Sequence, residues 1–194
     1  MNSSNKSGRP RDPSVTRSIE KATLKVLGND GYQALSILHI AKLSGVSSTA
    51  IYRRFPTKEH LVIHVVGKLY KSFSLKETGA FREDLIHAIS TICAAAKNPV
   101  IHKTMPALLS ALGEHSEIGT ALMDAVILPR REFACGLIEH AIERGELSPD
   151  TNPVMLIDML AGYVFYRTWT LHRPVGPEEV VDLVDFALRG SQST

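Results

Sequence analysis

Apolar residues recur at helical spacing along almost the whole of this 194-residue chain. The pattern opens at Val15, Ile19, Ala22 and Val26 and continues to about residue 189. Glycines, prolines and polar turn residues interrupt it, and no alternating apolar and polar run of useful length predicts a strand. The spacing therefore predicts an all-α protein. After three helices within residues 15–53, we expect helices near 58–74, 82–97, 101–112, 117–144, 153–172 and 177–189.

The first 60 residues differ in charge from the rest of the chain. They hold ten Lys or Arg residues against four acidic ones, a net charge of +6, whereas residues 61–194 carry −4. A basic segment indicates a polyanionic partner such as DNA, although an uneven solvated surface gives the same count. We divide the chain into a polar, basic arm (1–13), an N-terminal domain (14–60) and a C-terminal helical domain (61–194).

Residues 36–58 have the spacing of a helix-turn-helix unit. Ala41 is small enough for two crossing helices to touch, and Gly45, four residues later, suits the left-handed conformation of the turn. Val46 and Ile51 are spaced to fill the gap between the helices. Because the second helix of such a unit enters the major groove of DNA, the sequence predicts a recognition helix after Gly45.

The predicted recognition helix is rich in hydrogen-bond donors and lacks the Glu–Lys pairs of an ordinary surface helix. Short hydroxyls, a phenol and guanidinium groups donate to phosphates and base edges. The candidates on this helix are Ser47, Ser48, Thr49, Tyr52, Arg53 and Arg54. Ser36 and Thr57 are predicted N-caps of the flanking helices, and Lys58 adds a charge near a helix start that attracts phosphate. We therefore predict double-stranded DNA as a partner.

In combination, these residues resemble the N-terminal domain of the TetR family of transcriptional regulators. The resemblance is carried by Ile40-Ala41, Gly45-Val46-Ser47, Ile51-Tyr52, Phe55, Lys58-Glu59, Leu61 and the arm Gly8-Arg9-Pro10-Arg11. It implies a homodimeric, ligand-responsive regulator, usually a repressor, that binds a palindromic operator. It also implies that the C-terminal helices form the dimer interface and a cavity for a small-molecule effector.

The resemblance also assigns roles to single residues of the N-terminal segment. The phosphate contacts it implies are Ser36, Tyr52 and Lys58. The base contacts it implies are Ser48, Thr49 and Arg54. The contacts it implies in a minor groove, whose narrow stretches attract arginine, are Arg9 and Arg11. Arg54 departs from the family pattern, in which His or Tyr often precedes the Phe, and this leaves its exact contact open.

Apolar residues of the C-terminal domain have two interpretations. They line an effector cavity, or they pack in the core and the dimer interface, which is the commoner use of an apolar helix face. The candidate effector-binding residues are Met105, Leu109, Phe133, Tyr166 and Trp169. The last two helices have apolar faces suited to a four-helix dimer bundle. The residues of these faces are Leu156, Leu160, Val164, Val180, Leu183, Val184 and Ala187.

Other functional classes find little support in the sequence. His60 and His64 have a spacing that can bind zinc, but no third ligand lies nearby in the sequence. Cys93 and Cys135 are isolated, and no catalytic or phosphate-binding motif is present. We therefore expect no catalytic residue, cofactor or metal site. The alternative is an α-helical small-molecule-binding or enzymatic protein whose basic N-terminal segment is incidental.

The hydropathy of the chain predicts neither a membrane span nor a secretory signal. No apolar run approaches the 18 residues of a span, and the most apolar stretch, 154–166, is interrupted by Asp158. The first residues lack the apolar region of a signal peptide. We expect a cytoplasmic protein.

Overall fold

The computed structural model describes residues 12–113 and 117–189, and within these ranges every regular element is helical. The α-helices are α1 (Pro13–Asp30), α2 (Ile37–Ser44), α3 (Ser48–Tyr52), α4 (Lys58–Lys71), α5 (Phe81–Lys97), α6 (Pro99–Gly113), α7 (Glu117–Leu122), α8 (Leu128–Glu143), α9 (Pro153–Phe165) and α10 (Pro177–Arg189). The predicted all-α fold class is confirmed. Among the described residues, no helix has both the length and the apolar character needed to cross a membrane.

Short polar residues fix where the N-terminal helices begin. The carboxylate of Asp12 accepts a hydrogen bond from the N–H of Ser14 at 2.8 Å, at the start of α1. At the starts of α2, α3 and α4, the hydroxyls of Ser36, Ser47 and Thr57 accept from the N–H three residues later. Each cap supplies an acceptor for an N–H that the first turn of a helix leaves free. The predicted N-caps of α2 and α4 are thus confirmed, and Ser47 caps α3 in the same way.

Two of the predicted helices change their winding along their length. The sequence predicts one helix over 117–144, but a π-helical turn at Met123–Ile127 separates α7 from α8. Pro129 follows this turn, and because proline has no N–H to donate, the regular α-helical ladder cannot continue through it. The helix predicted over 153–172 likewise passes from α9 into a π-helical turn at Tyr166–Thr170. Both irregular segments are still helical, so the predicted helical character of these stretches holds.

Buried apolar side chains form two clusters. The first joins α1–α4 to α6, α7 and the first π-helical turn, and it includes Ile51, Leu61, Met105 and Val126. The second joins α5, α8, α9 and α10. Because the first cluster runs from the helix-turn-helix unit into the C-terminal helices, α4 is packed against both parts of the chain. This packing places α4 between the predicted DNA-binding surface and the C-terminal core.

The predicted dimer-forming faces of α9 and α10 are wrong, because the protomer buries them in its own core. Leu156, Leu160, Val164, Val180 and Val184 belong to the second cluster, and Leu183 and Ala187 pack against it. Each helix carries apolar residues on its opposite side as well. There Met155, Met159 and Phe186 remain 60%, 56% and 68% exposed. We call these three residues, together with exposed Tyr166, the exposed apolar face.

Asp84 anchors the loop that leads into α5. Its buried carboxylate accepts hydrogen bonds from the N–H of Thr78 at 2.7 Å, the Thr78 hydroxyl at 2.8 Å and the N–H of Gly79 at 3.1 Å. Burial alone would raise the pKa of Asp84, but these hydrogen bonds outweigh burial and lower the pKa. The stabilisation is therefore complete above the ordinary aspartate pKa of about 3.9 and is lost as the pH falls through the lower folded-state value.

Replacing Asp84 by Ala should lower the free energy of unfolding by about 2 to 3 kcal/mol at neutral pH, because two backbone N–H groups lose their acceptor. Chemical denaturation at one fixed protein concentration measures this. Glu83→Ala, a change at the exposed neighbour, is the control and should cost less than about 0.5 kcal/mol. Equal losses in the two variants, or a difference that does not shrink below about pH 4, would contradict the anchoring role.

Candidate DNA-binding surface and ligand cavity

The turn between α2 and α3 has the geometry that its sequence predicts. Gly45 adopts the left-handed conformation, with φ 69° and ψ 15°, which residues with a Cβ atom adopt only at a cost. Ile40 and Ile51 are fully buried on the two sides of this turn, and Ala41 and Val46 pack against the same cluster. The apolar side of α3 is therefore held against α2, and its polar side is left to solvent.

The solvent side of α3 carries most of the predicted donors. Thr49, Tyr52 and Arg53 are exposed, and Ser48 is half-buried. α3 is only five residues long, so these side chains lie within a turn and a half of one another. A hydroxyl, a phenol and a guanidinium at this distance form one donor surface, of the kind that contacts phosphates and base edges.

Ser36 and Ser47 lie exposed at the edge of this surface. Each uses its hydroxyl oxygen as an acceptor for its own helix, at 3.2 Å from the N–H of His39 and 3.3 Å from the N–H of Ala50. Capping uses a lone pair and leaves the hydroxyl proton, so both serines can still donate to an external acceptor. For Ser36 the N-terminus of α2 adds a partial positive charge beside it.

The predicted arginine contacts differ in their surroundings. Arg53 is exposed, whereas the half-buried Arg54 donates from Nη1 to the carbonyl of Ala50 at 3.0 Å. The Nε of Arg54 is buried and has no hydrogen-bond partner among the described residues. In this conformation Arg54 binds its own helix, so a base contact requires its side chain to swing out. Arg9 and Arg11 lie outside the described residues.

Lys58 is held by an aromatic side chain that the sequence analysis did not single out. Its Nζ lies 4.1 Å from the ring centroid of Tyr32, an attractive cation–π distance. The Tyr32 hydroxyl donates to Glu59 Oε1 at 3.0 Å, and burial together with Glu59 raises the pKa of Tyr32 to about 12. Burial also lowers the pKa of Lys58, which Glu59 partly offsets. The ammonium group is therefore oriented at the start of α4 before any phosphate binds.

A buried carboxylate joins α1 to α4. Glu20 accepts from Lys68 Nζ at 2.7 Å, and its other oxygen lies 2.8 Å from His64 Nε2. Burial alone would raise the pKa of Glu20, but the hydrogen bonds of Lys68 and His64 outweigh burial and lower it. His60 bonds with Thr57 instead, so the two histidines of the considered zinc spacing have different partners. No cluster of three metal-ligating side chains occurs in the described part of the chain.

A cavity of about 120 Å³ lies among the C-terminal helices. Its wall is almost entirely apolar and includes two of the predicted effector-binding residues, Met105 and Trp169. The other apolar and aromatic lining residues are Tyr70, Leu75, Ala88, Ile92, Val126, Ile127, Ala134, Ile157, Ala161 and Phe165. Three charged side chains complete it: Arg130, Arg131 and Asp158. Tyr70 belongs to α4, so the helix that begins at the predicted DNA-binding surface also lines this cavity.

The other predicted effector-binding residues lie elsewhere. Leu109 packs against the first core cluster and Phe133 against the second, and neither lines the cavity. Tyr166 is 55% exposed and belongs to the exposed apolar face. Helical spacing groups residues on one face of a helix but does not say which of two cores, or which surface, that face meets.

Trp169 is hydrogen-bonded to a carbonyl of α6 that lacks its usual donor within the helix. Pro106 has no N–H to donate to the carbonyl of His102, four residues earlier. The indole N–H of Trp169 donates to this carbonyl instead, at 3.2 Å, and its ring stacks on that of His102. The Phe165 ring lies 4.8 Å from Trp169. A proline inside a predicted helix was the sequence signal for this contact.

Arg130 links the cavity to the end of α4. Its Nη1 donates to the carbonyls of Tyr70 and Phe73 at 3.3 and 3.2 Å, and its Nη2 donates to the Thr91 hydroxyl at 2.8 Å. Burial lowers the pKa of Arg130, and Tyr70 partly offsets this. The last carbonyls of a helix carry partial negative charge, so a guanidinium bound to them stabilises the helix end. The sequence analysis missed this residue.

The neighbouring arginine is paired. Arg131 donates from Nε and Nη2 to the two carboxylate oxygens of Asp158 at 2.8 and 2.7 Å. This bidentate pair joins α8 to α9 and lowers the pKa of Asp158. The charges of Arg131 and Asp158 cancel, which leaves Arg130 as the unbalanced charge among the described residues of the cavity wall.

Comparison with known proteins places both parts of the chain in one family. Residues 19–65 match the model of "Bacterial regulatory proteins, tetR family". Residues 75–187 match the model of "Tetracyclin repressor-like, C-terminal domain". The second match alone covers more than half of the chain.

Individual relatives agree with these matches over most of their length. A DNA-binding transcriptional repressor TetR of Mycobacteroides abscessus is 32% identical over 176 residues, 85% of this chain and 87% of that protein. The uncharacterized HTH-type transcriptional regulator YdeS of Bacillus subtilis is 28% identical over 193 residues, 97% and 96% of the two chains. The crystal structure of the TetR family transcription regulator SCO0332 superposes with a TM-score of 0.72 at 26% identity, covering 91% and 98%.

Proposed function

Because this chain belongs to the TetR family of bacterial regulatory proteins, we propose that it is a homodimeric repressor that releases operator DNA when a small apolar or aromatic effector binds. The family makes it a helix-turn-helix regulator of transcription. The direction of control, the dimer, the effector and the DNA-contacting residues are the proposed parts. Repression is supported by the Mycobacteroides abscessus relative, which is a transcriptional repressor. We place the protein in the cytoplasm, where its operator lies.

The observation that carries the DNA-binding role is the donor surface around α3. In our proposal Tyr52, Lys58 and Ser36 contact phosphates, and Ser48 and Thr49 approach bases. Ser47 and Arg53 also contact the DNA, and Arg54 joins them if its side chain leaves the Ala50 carbonyl. Arg9 and Arg11 reach the adjacent minor groove.

The exposed apolar face supports the dimer. Met155, Met159 and Tyr166 follow one another at helical spacing along α9 and its π-helical turn, with exposed Gly162 between them. A Cβ atom added at Gly162 would meet nothing within 4 Å, so the backbone there is open to the approach of a partner helix. Phe186 of the adjacent α10 extends the face. Several large apolar side chains exposed together mark an interface, and a twofold dimer would cover this face with a copy of itself.

The cavity and α4 support control by an effector. α4 runs from Lys58 on the DNA-binding surface to Tyr70 on the cavity wall, and it is packed in the core cluster that joins the two. In the DNA-bound state the two α3 helices of the dimer lie about 34–36 Å apart, one turn of DNA. An effector that binds better to another state shifts the tilt of α4 and with it this separation. We assign no catalytic residue and no cofactor to the chain.

Selection of bound fragments from genomic DNA tests this function. We expect the purified protein to enrich an inverted repeat whose half-sites lie about one helical turn apart. Enrichment without any shared sequence would contradict it and favour the alternative, a small-molecule-binding or enzymatic protein with an incidental basic segment. For that alternative, ligand binding in an apolar cavity would hardly change with salt, whereas DNA affinity should fall steeply.

A further inference from the structure

We propose that the natural ligand of the cavity carries a carboxylate, or a similar anionic group, that binds the guanidinium of Arg130. This inference rests on the proposed function, in which the cavity holds the effector, and it names the chemical class of that effector. The ligand is a small aromatic or short-chain carboxylic acid.

The charge of Arg130 is not balanced within the described part of the chain. Its three hydrogen-bond acceptors, two carbonyls and one hydroxyl, are all neutral. The one carboxylate on the cavity wall, Asp158, is held by both nitrogens of Arg131. Arg130 is half-buried, and a cation that is partly withdrawn from water loses solvation that an anionic partner can replace. A cavity whose wall carries one unbalanced cation favours an anionic ligand.

Arg130 also retains donors for such a ligand. A guanidinium has five N–H groups, and three of them bond Tyr70, Phe73 and Thr91. The Nε–H and the second N–H of Nη2 meet no acceptor among residues 12–113 and 117–189. Two remaining N–H groups suit the two oxygens of a carboxylate. Burial raises the pKa of the Tyr70 phenol on the same wall, which keeps its hydroxyl protonated.

The remaining wall residues determine the size and the apolar character of the rest of the ligand. Met105, Ile92, Phe165 and Trp169 present apolar and aromatic surface to a cavity of about 120 Å³. An engineered protein cavity of about 150 Å³ accepts benzene, so this volume fits about one aromatic ring or a short aliphatic chain. The combination of an apolar wall with one cation describes a small organic acid.

The same guanidinium holds the end of α4. A carboxylate bound by the Nε–H and the free Nη2–H pulls the guanidinium toward the cavity and strains the bonds of its Nη1 to the carbonyls of Tyr70 and Phe73. Loss of these bonds loosens the end of the helix whose start carries Lys58. Arg130 therefore couples the charge of the ligand to the position of α4.

Acid and amide pairs test the assignment directly. Trp169 is the only tryptophan of the chain and lines the cavity, so its fluorescence reports binding without DNA. The probes are benzoate, phenylacetate, cinnamate and hexanoate, each titrated beside its primary amide of nearly equal size. We expect at least one acid to bind about 10- to 100-fold more tightly than its amide, because a charge-assisted hydrogen-bonded pair is lost in the amide.

An Arg130→Met variant should lose this preference and bind the acid no better than the amide. Methionine keeps much of the apolar stem and removes the charge. Arg144→Met is the matched control. Arg144 comes directly after the last residue of α8, the helix of Arg130, but it binds Glu146 on the surface. This variant should therefore keep the full preference for the acid. Should Arg130→Met fail to fold, the acid and amide affinities of the unaltered protein decide the question alone.

Three results would overturn the proposal: equal affinity for acids and amides, a preference that survives in Arg130→Met, or no binding by any of the acids. DNA binding is measured separately in each preparation. Acid binding without sequence-selective DNA binding would leave this inference standing and overturn the proposed function. Selective DNA binding with no preference for acids would overturn this inference and leave the proposed function standing.

Discussion

Replacing Tyr52 by Phe and Lys58 by Ala together should lower the affinity of the protein for its operator by about 1,000-fold. A dimer carries two copies of each residue, so the double variant removes four phosphate contacts of about 1 kcal/mol each. The loss should be similar for every duplex sequence, because phosphate contacts carry no base information. The slope of log affinity against log salt should also become shallower by about 2, since two lysine charges per dimer no longer displace counterions.

The control for this variant also removes one hydroxyl and one charge, but elsewhere. Ser110→Ala with Lys97→Ala changes two exposed positions of the C-terminal domain that lie outside the exposed apolar face, and it should leave both affinity and salt slope unchanged. Both double variants should keep their thermal stability, because all four residues are wholly or partly exposed. An unchanged salt slope in the Tyr52→Phe, Lys58→Ala protein would refute the role of Lys58, and an unchanged affinity would refute both roles.

Replacing Met159 and Phe186 by Glu should separate the dimer. These side chains are 56% and 68% exposed in the single chain, so the protomer tolerates the change. In a self-complementary interface, however, four carboxylates would be buried without partners, which costs far more than such an interface gains from four apolar side chains. Sedimentation should show the mass falling from twice the chain mass to the 21.3 kDa of one chain.

Loss of the dimer should also lower operator affinity by at least about 100-fold, because each monomer contacts a single half-site and the gain from linked binding is lost. Leu43→Glu is the control for mass, since Leu43 is 43% exposed but belongs to α2, and this variant should remain dimeric. A Met159→Glu, Phe186→Glu protein that sediments as a dimer would show that the interface lies on another surface.

The sequence predicted most of the helices because their ends are determined locally. Ser36, Ser47 and Thr57 cap helices through their own side chains, and Gly45 takes a conformation that its missing Cβ permits. Such signals need no knowledge of the rest of the fold. The same is true of α3, whose donors face solvent simply because its apolar side is buried.

Contacts between distant residues could not be predicted in the same way. α9 and α10 carry apolar residues on two sides, and only the packing against α5 and α8 decides that Leu160 is buried while Met159 is exposed. Arg130 bonds carbonyls about 60 positions earlier in the chain, and no local pattern indicates that partnership. The cavity likewise takes residues from α4, α5, α6, α8 and α9. Of the candidates predicted from helical spacing, its wall includes Met105 and Trp169 and does not include Leu109, Phe133 or Tyr166.

The central claim, a dimer that binds a specific operator through α3, is tested most directly by fluorescence anisotropy. The DNA just upstream of the protein's own gene is titrated against a scrambled duplex of equal composition, at two salt concentrations. The account predicts saturation at two chains per duplex, affinity at least about 1,000-fold higher than for the scrambled duplex, and a steep loss of affinity with salt. A third duplex, which contains the inverted repeat enriched from genomic DNA, is titrated in the same way in case the operator is not upstream of the protein's own gene. Equal, weak binding to all three duplexes would contradict the claim.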